Sequence, residues 1–349
     1  WKDKYYFQIP DSLLGRLFMV TTRFASTPVD AGFYGGELAN EHVIYFEKNG
    51  KQILLRAKMY DVSADSTNAI YKAVLNSTED PIMASVKIDS TVTATNGSKL
   101  YSIDVTNWFN GDHSVFSLSS IAKDRIGVSA ILKDLSYINY IHTFPINTEI
   151  VTTKTYSGKS SSKVPAARIA GNVTLKTNTS FVLLPQEPMR ARTFDPRVGY
   201  FTEEFAEFND QQQNVKRRKV ITRWRLVPKD VEAYKRGKLV EPEKPIVFYI
   251  DPATPKQWRK YLIQGVEDWN KAFEVAGFKN AIRAYEWPND STMSLEDARY
   301  SVIRYLASDI PNAYGPHVSD PRSGEIIESH VGWYHNVMKL LKEWYMIQC

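Results

Sequence analysis

From residue 4 to about 184 the chain is a succession of short runs rich in Val, Ile, Thr, Tyr and Phe, each closed by Gly, Asn, Asp or Ser. β-Branched and aromatic side chains suit a pleated, half-buried surface, so this part reads as strand after strand. Two dipeptides mark where strands turn back. Asn49-Gly50, between 43–48 and 51–58, tolerates the positive φ angles of a two-residue I′ turn and predicts a hairpin. Asn96-Gly97, between 90–95 and 99–105, predicts a second one. No fixed-period repeat points to a solenoid or propeller. The stretch 156–162, rich in Ser, Gly and Lys, reads as an exposed loop.

Between 185 and 243 the texture changes, with Pro185, Pro188, Pro196, Pro228 and Pro242 interrupting shorter apolar runs. This predicts a connecting segment, in which Asp195-Pro-Arg-Val-Gly-Tyr-Phe and Ile221-Thr-Arg-Trp-Arg-Leu each add a strand to a neighbouring sheet. After Pro245 the order becomes strand, helix, three strands, helix. The continuous apolar run 246–250 fits a buried central strand. Thr254 and Pro255 open a helix in which Trp258, Tyr261, Leu262, Val266, Trp269 and Phe273 recur at three- and four-residue steps, and Gly277 supplies its left-handed stop. Its length, about 33 Å, would cover one face of a sheet. Strands follow over 281–287, 300–306 and 325–331, then a helix from about Tyr334. The chain therefore reads as α+β: a β-rich domain over 1–185, a linker over 186–244, and an α/β domain from 245 to 349.

At 349 residues with 43% hydrophobic content, two such domains can each bury a core. No run of about 18 apolar residues is present, so no transmembrane segment is expected. The start at Trp1 lacks the features of a signal peptide, which places any export signal upstream. A net charge of +5 is small for this length, and the one dense basic run, Lys216-Arg-Arg-Lys, reads as a solvated linker or strand start; no nucleic-acid partner is expected. The single cysteine, Cys349, excludes internal disulfides and paired-cysteine zinc patterns.

The direct search for chemistry is largely negative. None of the six histidines begins His-Glu-x-x-His. His330 and His335 are five apart at a strand-to-helix junction, where a packing role outweighs metal ligation. Gly158-Lys159-Ser160 lacks the leading glycine of a phosphate loop, since position 153 is Thr. Gly32, Gly35 and Gly36 lack the spacing of a dinucleotide fingerprint and read as a tight loop. There is no Gly-x-Ser-x-Gly elbow, and Cys349 is a poor candidate nucleophile.

Several stretches nevertheless resemble large exported zinc-dependent metalloproteases of Gram-negative bacteria, whose metzincin-like catalytic part follows a β-rich domain. They are Lys4-Tyr-Tyr-Phe-Gln-Ile-Pro-Asp-Ser-Leu-Leu-Gly-Arg, Thr27-Pro-Val-Asp-Ala-Gly with Gly35-Gly36-Glu37, Asp195-Pro-Arg-Val-Gly-Tyr-Phe and Thr222-Arg-Trp-Arg-Leu. Pro245-Ile-Val-Phe-Tyr-Ile-Asp, Gly265-Val-Glu-Asp-Trp-Asn-Lys-Ala-Phe and Asp320-Pro-Arg-Ser-Gly-Glu-Ile complete the set.

The resemblance implies that 245–349 forms the upper, strand-helix-strand half of a catalytic domain in the cell envelope or secreted. A later zinc-binding helix would lie beyond this sequence, which is expected to be inactive alone. Zinc would be the cofactor, a protein or peptide the substrate, and the remainder of the catalytic domain a partner. No metal ligand or catalytic residue carries over. What does carry over is a substrate-binding edge strand, assigned to Gly324, Glu325, Ile326, Ile327, Glu328, Ser329 and His330, with an ordinary covered edge strand as the plainer reading. Asp195, with Arg197, is a candidate latency segment in which a carboxylate takes the open position on zinc; an interdomain strand with Arg197 paired to a carboxylate is the alternative. A competing functional reading is a non-catalytic protein- or glycan-binding module whose Tyr and Trp residues act as platforms. A third is a structural or inhibitory propiece.

Overall fold

In the computed structural model, which describes residues 4–60, 62–212 and 214–348, the first hairpin forms between Leu38–Asn49 and Gln52–Ala57. Its turn is displaced by one residue from the expected position: Asn49 pairs with Gln52, so Gly50 and Lys51 are the central pair. Gly50 has φ +57°, and neither Asn49 nor Lys51 has positive φ. A II′ turn needs positive φ at its first central residue alone. The expected register would have set Lys48 directly opposite Lys51, a like-charge pair that the observed register avoids. The second hairpin joins Ile82–Thr93 to Lys99–Asp104 through a longer loop. There the Gly97 N–H donates to the Ala94 carbonyl (2.9 Å) with Gly97 at φ +85°, a turn followed by a left-handed glycine.

These hairpins belong to one antiparallel sheet of ten strands. From one end it runs Tyr6–Pro10, Lys99–Asp104, Ile82–Thr93, Gln52–Ala57, Leu38–Asn49, Phe18–Ser26, Asn172–Leu183 and Asn147–Gly158. Both Val128–Ile131 and Tyr137–Thr143 pair with the far side of Asn147–Gly158. Ile9 from the first strand and Ile138 from the last belong to the same buried cluster as Ile44, Leu55, Ile103 and Ile150. The sheet must therefore curl around that core.

Phe109, Phe116 and Phe181 pack within it in tilted and edge-to-face pairs at centroid separations of 5.0–6.2 Å, each burial contributing roughly 2–3 kcal/mol. A second cluster gathers Phe24, Phe33, Leu118, Ile126, Tyr156 and Leu175. Tyr156 thus corrects the expected loop: it is fully buried and paired to Val173, and the strand continues to Gly158.

Lys154 on the same strand is fully buried. Its ammonium donates to the Phe109 and Gly111 carbonyls (both 2.8 Å) and to Ser117 Oγ (2.9 Å). Those bonds tie the segment 109–117 to the sheet, while burial pulls the Lys154 pKa down to about 7.

The chain divides into two compact units, the first holding most of residues 1–220 and the second Met189–Arg192, Gly199–Phe201 and Ile221–Cys349. The stretch expected as a linker is shared between them. A three-stranded sheet of Val62–Ala64, Thr202–Phe208 and Lys216–Ile221 completes the strand inventory before the second unit.

The second unit is built on a five-stranded sheet in the order Ile282–Glu286, Ile246–Ile250, Ser301–Leu306, His330–Tyr334, Ala313–Tyr314. The first four are parallel and the last is antiparallel. The expected single helix is two, Lys256–Glu267 and Asn270–Val275. At the break, Asn270 Nδ2 donates to the Glu267 and Ile282 carbonyls (3.0 and 2.8 Å) and Asn270 Oδ1 accepts from the Ile282 N–H (3.2 Å). A side chain so bound to a strand fixes where the helix must restart. The final helix is Val337–Gln348; Cys349 lies outside the described residues. Among the described residues no helix is long and apolar enough to cross a membrane.

Candidate functional site

The segment expected as one edge strand is split at Ser329. Glu325–Glu328 pairs antiparallel with Val318–Asp320, with Ile326 opposite Ser319. Across its other side the Arg223 N–H donates to the Gly324 carbonyl (2.8 Å) and the Ile326 N–H to the Arg223 carbonyl (2.9 Å). Ser329 forms the corner: its N–H reaches Ser301 Oγ (3.1 Å) and its hydroxyl the Pro316 carbonyl (2.7 Å). His330 then opens a strand flanked by Ser301–Leu306 and Ala313–Tyr314, inside the sheet. Most of the main-chain groups that strand addition would use here are thus engaged. At this end of the five-stranded sheet the outermost strand is Ala313–Tyr314, paired to Trp333 and Gly332. Two residues between Pro311 and Pro316 give no strand signal that a sequence pattern could reveal.

The turn before Glu325 shows why this segment has its sequence. Gly324 has φ +70°, and a Cβ there would lie 2.2 Å from the Ile221 carbonyl oxygen, so only glycine allows the approach. The fully buried Asp320 carboxylate accepts from its neighbour Arg322: backbone N–H at 3.0 Å, Nε at 2.9 Å and Nη2 at 2.6 Å. The same Asp-x-Arg clasp recurs at Asp297 and Arg299, and at Asp195 and Arg197. Other buried carboxylates of the second unit also have a basic partner: Asp251 with Arg304 (3.0 Å) and Glu325 with Arg225 (2.8 Å), while Glu328 lies 3.4 Å from the His330 ring, which is a cationic partner only when protonated. Pairing is what makes buried charge tolerable, so these acids serve the scaffold.

Asp195 is clasped through both oxygens, and the Arg197 side chain holds its pKa below the usual carboxylate range. Arg197 is thus paired to a carboxylate, that of Asp195 itself. A catalytic zinc needs three protein ligands, yet among the described residues no group of three or more His, Cys, Asp or Glu is arranged to hold a metal. The residues present do not fit a zinc site.

At the carboxyl ends of two central strands, where open α/β sheets commonly bind ligands, sequence reasoning missed one arrangement. Tyr305 Oη and His335 Nδ1 lie 2.8 Å apart with their rings edge to face at 6.0 Å. Burial raises the Tyr305 pKa, which keeps the phenol protonated and able to donate to the imidazole. The His335 N–H is anchored on the Leu306 carbonyl (2.9 Å), and Asn336 Nδ2 on that of Asp309. Around them is a shallow depression of about 390 Å³ lined by Ala307, Ser308, Asp309, His335 and Asn336. Thirty positions separate Tyr305 from His335, and no local pattern signals their meeting. This rim can orient a polar group; it contains no activated nucleophile.

Residues 36–229 match the family described as Domain of unknown function (DUF5117), and residues 1–27 match Domain of unknown function (DUF5118). No curated protein and no solved structure matches the chain. With more than half of its length in the first match, the chain belongs to the DUF5117 family.

Proposed function

We propose that this DUF5117 member carries the peptide-binding sheet of an exported zinc metallopeptidase, with a metzincin-like second unit. The observation that supports the reading best is Ala313–Tyr314: a short antiparallel strand at the outside of four parallel ones, paired on its inner side to Trp333 and Gly332. An extended substrate can add to such an edge through main-chain hydrogen bonds, with alternate side chains selecting the sequence. The helix Val337–Gln348 adds support, because Trp344, Tyr345, Met346 and Ile347 are 51–80% exposed around its last turn and would be covered by further polypeptide. Zinc ligands would come from outside these 349 residues, so no step of hydrolysis is assigned to side chains of this chain.

The test is a peptidase assay with added zinc on this chain and on a longer polypeptide that carries the zinc helix. Turnover is expected for the longer form alone, and it should be abolished by a chelator. Asn312 Oδ1 accepts from the Ala313 N–H at 2.8 Å, a partner that an added strand would have to displace. Asn312→Ala in the longer form should therefore free that donor and lower KM by about fivefold, the value of one ordinary hydrogen bond. Activity of the short form, or a longer form that is inactive with zinc, would refute the reading.

A further inference from the structure

The curled sheet of the first unit does not close. Among the described residues no ladder joins its first strand, Tyr6–Pro10, to Tyr137–Thr143 at the other end. The Tyr5 hydroxyl reaches across to the Ile138 carbonyl at 3.4 Å. Beside that seam lies a cavity of about 620 Å³, walled by 6–10 on one side and by Ile141 and 143–148 on the other. The space is a groove open to solvent on one side, with Gln8, Thr143 and Pro145 exposed along its rim. Its volume falls inside the range of roughly 300–1,000 Å³ found for small-molecule sites.

We propose that this cavity is a binding site for a single uncharged hydrocarbon chain of the kind an acylglycerol carries. Thirteen of its seventeen lining residues are apolar, and none is Asp, Glu, Lys, Arg or His. Phe7, Ile9, Phe18, Phe46, Phe181 and Leu183 give the wall its aromatic and aliphatic character. An apolar wall of this kind gains by exchanging the water against it for hydrocarbon.

Its four polar residues are Gln8, Thr143, Asn147 and Thr148. Gln8 and Thr143 are exposed, which places hydrogen-bonding groups at the mouth for hydroxyl or ester oxygens. The buried Asn147 amide already donates to Glu149 at 2.6 Å. Five consecutive strand residues line one wall, a length of roughly 16 Å that suits a chain better than a compact ring system. A peptide strand is the weaker occupant, since Pro10 and Pro145 remove main-chain donors from both walls.

The experiment is a titration of the whole chain with N-phenyl-1-naphthylamine, a neutral probe that brightens in apolar surroundings, followed by displacement. One site per chain is expected, emptied by 1-monopalmitoylglycerol and much less by palmitate. Ile141→Trp and Ile146→Trp, each at a half-buried position, should fill the space and weaken probe binding roughly tenfold or more, with circular dichroism and melting unchanged. Met346→Lys on the exposed face of Val337–Gln348 should leave the titration as it was, which separates cavity binding from adsorption to that helix. Should both tryptophan variants misfold, Gln8→Trp at the exposed mouth replaces them with the same expected loss. The proposal is overturned by absence of a one-site signal, by cavity variants that bind as the parent does, or by displacement with palmitate or an extended apolar peptide in preference to the acylglycerol.

Discussion

Gly324→Ala tests the construction of the second unit most sharply, because two separate costs act there and a companion glycine isolates one of them. An L-residue held in the left-handed region costs about 1–2 kcal/mol. Gly237, with φ +77° and nothing within 4 Å of its would-be Cβ, should show that cost alone as Gly237→Ala. Gly324 has a similar φ of +70°, but its Cβ would meet the Ile221 carbonyl oxygen at 2.2 Å and the Ile221 carbonyl carbon at 2.9 Å. That is roughly 1.3 Å short of ordinary contact, and both partners are backbone. Relief requires moving 221–223 away from the turn, which breaks the Arg223 N–H to Gly324 carbonyl bond and the Ile326 N–H to Arg223 carbonyl bond. At about 1 kcal/mol each, and with the Glu325–Arg225 pair disturbed, the total reaches about 4 kcal/mol or more. Urea unfolding followed by tryptophan fluorescence compares the two variants within one unit. A Gly324→Ala cost within about 0.5 kcal/mol of the Gly237→Ala cost would show that the close approach is not present in solution.

Lys154→Met removes the donor to two carbonyls and a hydroxyl and should destabilise the first unit by roughly 2–5 kcal/mol near pH 10.5 and by less at neutral pH, read from its urea midpoint. Because burial holds the folded Lys154 near 7, below the 10.5 of the unfolded chain, its contribution to stability is full above pH 10.5 and is lost as pH falls to about 7; the methionine variant should flatten that rise. Burial also lowers the pKa of His42 and His113 from 6.5, so the unfolded chain takes up protons first and stability should fall as pH drops below about 6.5. Midpoints at successive pH values, with the His42→Gln, His113→Gln double variant as the flattened control, check this. Asp320→Asn leaves the Arg322 guanidinium without its carboxylate in a buried turn and should cost about 3 kcal/mol, seen as a lower unfolding midpoint of the second unit.

Local chemistry was legible and partner choice was not. Both Asn-Gly turns, the central strand Ile246–Ile250 and the β-rich α+β character are set by neighbours within a few residues, and such signals survive in a bare sequence. The position of the first turn follows the register of its two strands, which decides the residues that face each other and is a property of both strands at once. The helix break at Asn270 depended on Ile282, and the Tyr305–His335 contact on two strands aligned by the sheet. The apolar cavity lies beside a seam left by failed closure, which no single strand encodes.

One local signal was readable and went unused. Asp-Pro-Arg, Asp-Ala-Arg and Asp-Pro-Arg occur at 195, 297 and 320, and all three fold into the same clasp, from exposed surface to full burial. An Asp whose i+2 neighbour is Arg can satisfy its own charge before any tertiary contact forms, which is why the same turn can be set on the surface or in the interior. It follows that such an aspartate is a poor choice for a metal ligand or latency residue: its oxygens are already engaged, and freeing them would strand the arginine as well. Asp195, the one acid singled out for that role, carries this feature.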